Sequence, residues 1–481
     1  VIVLCINAIT FETSMKKYIC YTIIIFCSFI CLSSCKKEGF ITDSNALLRT
    51  SVDTLFYDTV FTSVGSITQS FKIFNPNNKK LKLSNVQLMG GSNSFFKMNV
   101  DGFASSNVED IEINANDSIY VFAMVNINPS NANLPFVVQD SIKINYNGNT
   151  RFVQLQAYGK NAIFLKDNQI TTDTTWKNDM PIVVIGALTV QPTVKLTIEK
   201  GTRIYLHANA PMLVNGTLHA VGEKFDSTKI VFTGDRLDEP YKDFPGGWPG
   251  IYFLDNSINN IMQYCVVKNA YQGVIVQNPS TNLNPKLIIN ECILDNIYDV
   301  ALGATNSWVN ANNCLITNSG YNIYLTAGGN YNFNHCTVAS FGNYYLQHKY
   351  PVLNISNVVN STTSNDISAS FTNCIFYGEG GLPEDEIAIK KQGTTLFNVT
   401  FNNSLYKLKN SEPNTANFIG SKLKNITPDF DSINISNRYY NFRLKGNSAA
   451  INKGSNTGLL IDLDGNNRSI GLPDLGCYER Q

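Results

Sequence analysis

The chain has 481 residues and no formal net charge, with 37 Lys and Arg against 37 Asp and Glu. Charged residues make up 15%, well under the usual quarter, and a neutral chain lacks the basic surface that nucleic-acid binding needs. A hydrophobic content of 43% excludes wholesale disorder. Gly and Pro, 32 and 16 residues, are too few for a collagen-like or low-complexity chain. Polar character sits in Asn, Ser and Thr beside many Tyr and Phe, a composition of strands joined by polar turns.

Met15-Lys16-Lys17 opens a short basic stretch, and residues 18–32 form an apolar run too short to span a bilayer comfortably. Leu32-Ser33-Ser34-Cys35 follows. This tetrapeptide resembles a lipobox, the processing site of bacterial lipoproteins. The resemblance implies that Cys35 becomes the lipidated first residue and that the product is a body tethered to a membrane by acyl chains. Residues 1–14 read as an upstream extension. Residues 35–50 read as the lipidated Cys and a polar tether.

From 51 to 160 the residues alternate, as in Phe71-Lys72-Ile73-Phe74, Leu81-Lys82-Leu83, Ile111-Glu112-Ile113 and Ile142-Lys143-Ile144. Asn75-Pro76-Asn77-Asn78, Asn114-Ala115-Asn116-Asp117 and Asn147-Gly148-Asn149 punctuate them. Period-two strands between turn clusters predict an antiparallel sandwich. The length of roughly 110 residues suits one immunoglobulin-like domain, acting as a spacer.

A repeat follows. Met262-Gln-Tyr-Cys265, Ile289-Asn-Glu-Cys292, Ala311-Asn-Asn-Cys314, Phe333-Asn-His-Cys336 and Phe371-Thr-Asn-Cys374 align, and Phe401-Asn-Asn-Ser404 continues them. The spacings are 27, 22, 22, 38 and 30 residues. Units this short cannot bury an apolar face alone and must stack. β-Branched residues without a helical stripe make each unit a coil of strands, ~4.8 Å from the next. Cys265, Cys292, Cys314, Cys336 and Cys374 then form an interior ladder of free thiols. Asn269, Asn296 and Asn318, four residues after a Cys, form a second ladder at a bend.

The pattern resembles the right-handed parallel β-helix of the pectin-lyase-like superfamily, over roughly Thr189 to Leu444. Leu196-Thr-Ile-Glu-Lys-Gly201, Leu213-Val-Asn-Gly216 and Gly247-Trp248-Pro249-Gly250 resemble the opening coils of β-helix lipoproteins from Bacteroidetes-type bacteria. The last residues, with Asp462-Leu-Asp464-Gly465 and Gly476-Cys477-Tyr478-Glu479, are similar to the choice-of-anchor-like ending of many β-helix proteins. That ending is expected to cap the open end of the coil. The organisation expected is therefore all-β: leader 1–34, tether 35–50, sandwich 51–160, right-handed parallel β-helix 161–445 and capping segment 446–481.

The polygalacturonase-type runs N-T-D, G-H-G and R-I-K are absent, and the four His do not cluster. The intervals of 38 and 30 exceed 22 by 16 and 8 residues, which must loop out side by side. The first loop carries Tyr344, Tyr345 and Tyr350, candidates for binding sugar rings together with Trp248, whose alternative place is the core. The second carries Glu384, Asp385 and Glu386, the candidates for catalysis. Asp462 and Asp464 echo the start of a Ca²⁺ loop, with pairing to Arg468 as the alternative; no other cofactor is expected. The reading favoured is a cell-envelope protein, lipid-anchored to the outer membrane, that binds an extended polysaccharide without cleaving it. A polysaccharide lyase or glycoside hydrolase, and an adhesive protein with a surface-protein partner, are the alternatives.

Overall fold

The computed structural model describes residues 39–61, 68–126, 136–237, 241–468 and 470–481. The leader and Cys35 lie outside the described residues. The chain divides into two compact units, the second taking over at Tyr158.

The first unit is a two-sheet sandwich. One sheet orders Phe40–Ile41, Lys80–Leu88, Phe136–Tyr146, Asn149–Lys160 and Thr54–Phe61, with Asn107–Ile113 also on Lys80–Leu88. The other orders Arg49–Thr50, Gln69–Asn75, Asp117–Val125, Phe96–Val100 and Phe103–Ala104, all antiparallel. Alternation does the sorting. Leu81 and Leu83 are buried while Lys82 between them is exposed, and Ile111 and Ile113 are buried around exposed Glu112. Tyr57 of the first sheet donates its hydroxyl to Ala123 O of the second at 2.5 Å. Asn116 and Asn147 take positive φ at the turns, a region Asn tolerates better than most residues. Residues 40–41 and 49–50, expected to belong to a tether, pair into the sheets instead. The physical reason is that buried Ala46 and Leu48 anchor this stretch.

The second unit is a parallel β-helix. Its 24-stranded sheet runs from Ile163–Ile170 to Asn417–Lys424. Strands pair in parallel with the strand one coil on, as Ile251–Phe253 does with Val274–Gln277. Three faces result. The first carries Asn260–Gln263 and Leu287–Asn290; the second, just after each Cys, carries Cys265–Lys268, Ile293–Asp295, Leu315–Thr317, Thr337–Ser340 and Ile375–Gly378; the third carries Ile251–Phe253, Val274–Gln277 and Leu353–Ser356. Register aligns like with like down the core. Met262, Ile289, Ala311, Phe333, Phe371, Phe401 and Phe418 are successive partners. The four Phe rings stack at 5.2, 4.9 and 4.5 Å between centroids.

The bend between the first and second faces uses the residue before each Cys. Tyr264, Glu291, Asn313, His335, Asn373 and Asn403 all have positive φ. This turns the chain and points the Cys inward. The five thiols are free and buried; Cys292 donates to Asn290 O at 3.1 Å and Cys314 to Asn312 O at 3.3 Å.

The parallel sheet stops at Lys424, before the expected boundary at 445, and Phe430–Asn434 with Tyr439–Leu444 form an antiparallel hairpin. The segment after it does not sit across the end of the coil as a cap. It runs along the flank, where Arg468 reaches Asn313, Cys477 N bonds to Thr337, and Ser455 bonds to Asn373 and Asn403. The reason is in the second face. Its later strands are apolar outward as well as inward, so Leu315, Ala339, Ile375 and Leu405 need a cover. Leu463, Leu475, Cys477 and Tyr478 supply it, with Phe430 and Phe442 of the hairpin.

Candidate functional site

The corner between the second and third faces carries a row of tyrosines. In three successive coils the chain leaves the second face through Asn269, Asn296 or Asn318, each at positive φ. It then places Tyr271, Tyr298 or Tyr321 at the start of the third face. Gly320 is required here, because a Cβ would lie 2.5 Å from both Asp299 O and Tyr298 O. The next coil has the long insertion, which brings Tyr350 back to the same edge. Tyr271 stacks on Tyr298 at 5.4 Å and 21°. Tyr321 stacks on Tyr350 at 4.2 Å and 12°, with Tyr324 beside it at 4.9 Å.

Between the two stacks opens a groove of about 410 Å³ whose walls are Tyr298, Tyr321, Tyr344, Tyr345 and Tyr350, with Asp299 at its edge. Tyr344 is 92% exposed. Tyr345 is held from behind, its ring 4.6 Å from Phe244 and 5.2 Å from the Arg438 guanidinium. Asp299 Oδ2 accepts from Gln272 Nε2 at 2.8 Å. Burial raises the Tyr321 phenol, as do the neighbouring Tyr350 and Tyr324, so it stays protonated and can donate. Gln347 and Lys349 add polar groups. The wall offers ring surface, phenol hydroxyls and one carboxylate, a mixture suited to a ligand with apolar faces and many hydroxyls.

The three loop carboxylates go three ways. Glu384 is exposed and pairs with Lys409 Nζ at 2.5 Å. Asp385 accepts from Lys409 N at 2.7 Å and Asn410 Nδ2 at 2.8 Å. Partial burial raises its carboxyl, and the bonds from Asn410 and Lys409 outweigh this and leave it below its ordinary value. Glu386 is fully buried against His348 at 2.9 Å and Val352 N at 3.3 Å. They do not face a common space, so the three candidates do not come together as a pair of carboxyl groups.

Trp248 is completely buried and donates Nε1 to Lys268 O at 3.0 Å; it is a core residue, not a ligand platform. Asp462 accepts from Asn466 N at 2.6 Å and Glu479 N at 2.8 Å, whereas Asp464 takes both oxygens to Arg443. Arg468 pairs with neither. It is buried and meets Glu479 at 3.0 Å, because the flank segment brings Glu479 back under it. Among the described residues no group of three His, Cys, Asp or Glu is arranged to hold a metal ion.

The Asn ladder forms in part. Asn296 Nδ2 donates to Asn269 Oδ1 at 2.8 Å, but Asn318 turns to Asp295 Oδ1 at 3.4 Å, and Asn343 from the insertion bonds to Asn296 instead at 3.3 Å. A second ladder, Asn290–Asn312–Asn334 with 2.9 Å links, was signalled by Asn two places before Cys in three repeats. Tyr271, Tyr298 and Tyr321 also escaped sequence reasoning, although they stand six, six and seven residues after a Cys.

No protein-family model matches the chain, and no curated protein matches it. Among solved structures, the PapD-like domain 7 of human CEP192 is similar over 26% of this chain and 92% of that one, at 5% identity and a TM-score of 0.18. A family 123 glycoside hydrolase from Clostridium perfringens is similar over 26% of each chain, at 12% identity and a TM-score of 0.18. At such TM-scores neither likeness bears on the activity.

Proposed function

We propose that the chain binds an extended glycan along the tyrosine groove without cleaving it. The observation that carries this is the groove itself, walled by five tyrosines across successive coils, with the single carboxylate Asp299. Glycoside hydrolysis in its usual form needs two carboxyl groups flanking one bond. Rungs recur every ~4.8 Å along the coil, so the wall follows a linear chain lying parallel to the axis. Sugar C–H faces pack on the open ring surface, and phenol and Asp299 oxygens take hydroxyl contacts. The leader, with its lipobox-like Leu32-Ser33-Ser34-Cys35, supports placing this body on the outer membrane of a Bacteroidetes-type cell envelope. The repeat supports assigning the coil to the pectin-lyase-like superfamily.

The test incubates the protein with acidic and neutral polysaccharides and reads chain length by size chromatography and bound fraction from the same samples. The expected result is binding with intact chains. Tyr344→Ala should weaken it by about tenfold with no change in melting, because Tyr344 is nearly fully exposed. Shortened chains would replace this reading with a lyase or hydrolase. Absence of any bound polysaccharide would shift it to a protein partner.

A further inference from the structure

A second cavity, of about 210 Å³, lies on the outer side of the second face. It is separate from the tyrosine groove, since the inserted loop stands between them: Asn343 lines this cavity and Tyr344 the groove. The volume is below the roughly 300 Å³ at which pockets for drug-sized ligands begin, so it suits one small ring rather than a chain.

Most polar groups around it are already committed. Asn269 Nδ2 donates to Lys242 O at 2.7 Å, and its Oδ1 accepts from Asn296. Asn296 Nδ2 also reaches Asp243 O at 2.9 Å, and its Oδ1 accepts from Asn343. Asn318 Oδ1 accepts from Phe341 N at 3.1 Å. Overhead, Arg438 pairs with Asp243 at 2.8 Å, and Tyr440 donates to Gly342 O at 2.9 Å.

Two groups on the floor are unspent. Lys268 Nζ donates to no described residue and pairs with no described carboxylate. Asp295 Oδ1 takes both Thr317 Oγ1 at 2.8 Å and Asn318 Nδ2, and the backbone N–H of Asn296 also bonds to the carboxylate, but no side chain among the described residues donates to Oδ2. Lys268 and Asp295 are register partners on adjacent rungs, yet they form no direct ion pair. An ammonium without a partner and a carboxylate oxygen without a side-chain donor, side by side in a polar cavity, call for a ligand that accepts from one and donates to the other. The cavity's charges already balance, Lys268 against Asp295 and Arg438 against Asp243, so the ligand needs no net charge. A lone anion would face Asp295, and a lone cation would face Lys268. A vicinal diol meets both demands with neighbouring hydroxyls.

We infer that this cavity binds a single pyranose through a vicinal diol, one hydroxyl accepting from Lys268 Nζ and the next donating to Asp295 Oδ2. Only the choice of a sugar rests on the glycan reading; the site does not use the groove.

The test titrates the whole protein calorimetrically with the methyl glycosides of glucose, mannose and galactose, and with glycine. At least one glycoside should bind. Lys268→Met and Asp295→Asn should each weaken it at least about tenfold, as for loss of a hydrogen bond to a charged group, and Tyr344→Ala should leave it unchanged. A deoxy analogue lacking one hydroxyl of the diol should lose binding to the unaltered protein, which keeps the test independent of how the variants fold. Failure of all three glycosides to bind, persistence of binding in both floor variants, or displacement of the sugar by glycine would overturn the inference. Loss of sugar binding in Tyr344→Ala would move the sugar to the groove and equally overturn it.

Discussion

His348 and Glu386 come from loops on successive coils and meet in the interior at 2.9 Å, with both side chains withdrawn from solvent. Leu382 N bonds to His348 O at 2.9 Å beside them. The contact fastens the second loop to the first, the loop that carries Tyr344, Tyr345 and Tyr350. It also explains why Gly378 lacks a side chain: a Cβ there would lie 2.1 Å from Glu386 Oε1 and 2.4 Å from His348 Nε2.

Removing either partner strands the other. His348→Leu or Glu386→Leu should each lower stability by about 2 kcal/mol, the cost of a buried polar group left unsatisfied. The double variant should lose less than the sum. Denaturant midpoints for the three proteins check this; additive losses would show that the two side chains act independently.

The flank segment supplies a pH test with two opposite signs. Burial pushes Glu479 up from 4.5 to about 7, with bonding from Asp474 and Arg468 opposing it. Its folded form therefore holds a proton that the unfolded chain has released. Its contribution to stability is full below about pH 4.5 and is lost as pH rises to about 7. Burial, and then the charge of Arg468, lower His335 from 6.5 to about 3. Here the unfolded chain binds the proton, so stability rises with pH between about 3 and 6.5. Compared with the unaltered protein, Glu479→Gln should be relatively more stable as pH rises from 4.5 to 7, and His335→Asn relatively less stable as pH rises from 3 to 6.5. Denaturation midpoints across this range measure both.

The cysteine ladder should be chemically silent. Burial raises the thiols of Cys292, Cys314 and Cys336 well above their ordinary value and that of Cys477 to about 12. Thiolate, not thiol, is the nucleophile. Iodoacetamide at pH 8 should label none of Cys265, Cys292, Cys314, Cys336, Cys374 or Cys477 in the folded protein and all six in denaturant. Mass spectrometry of peptides reads the result, and labelling of a ladder position without denaturant would show that the coil opens there.

The sequence by itself determined the all-β class, the stacking of coils and the side-by-side placement of the two insertions. These follow from local spacing. A residue that recurs at one place in each coil must stack on its equivalent, as Cys292 does above Cys265 and Phe371 above Phe333. Only the tertiary structure decided what each polar side chain spends its hydrogen bonds on. Glu384, Asp385 and Glu386 are consecutive, yet one is exposed, one holds backbone and one is buried, because the chain bends here and turns neighbouring side chains to different surroundings. The C-terminal stretch, by its resemblance to the ending of other β-helix proteins, is expected to cap the coil. Its place along the flank depends on a second apolar face of the coil that no single repeat reveals. The tyrosine groove arises in the same way: its walls come from residues up to about fifty positions apart, brought to one edge by rungs ~4.8 Å apart. Lys268 and Asp295 stand out only once every bond around them has been assigned, and that assignment needs partners from the inserted loop and the terminal hairpin, far away in the chain.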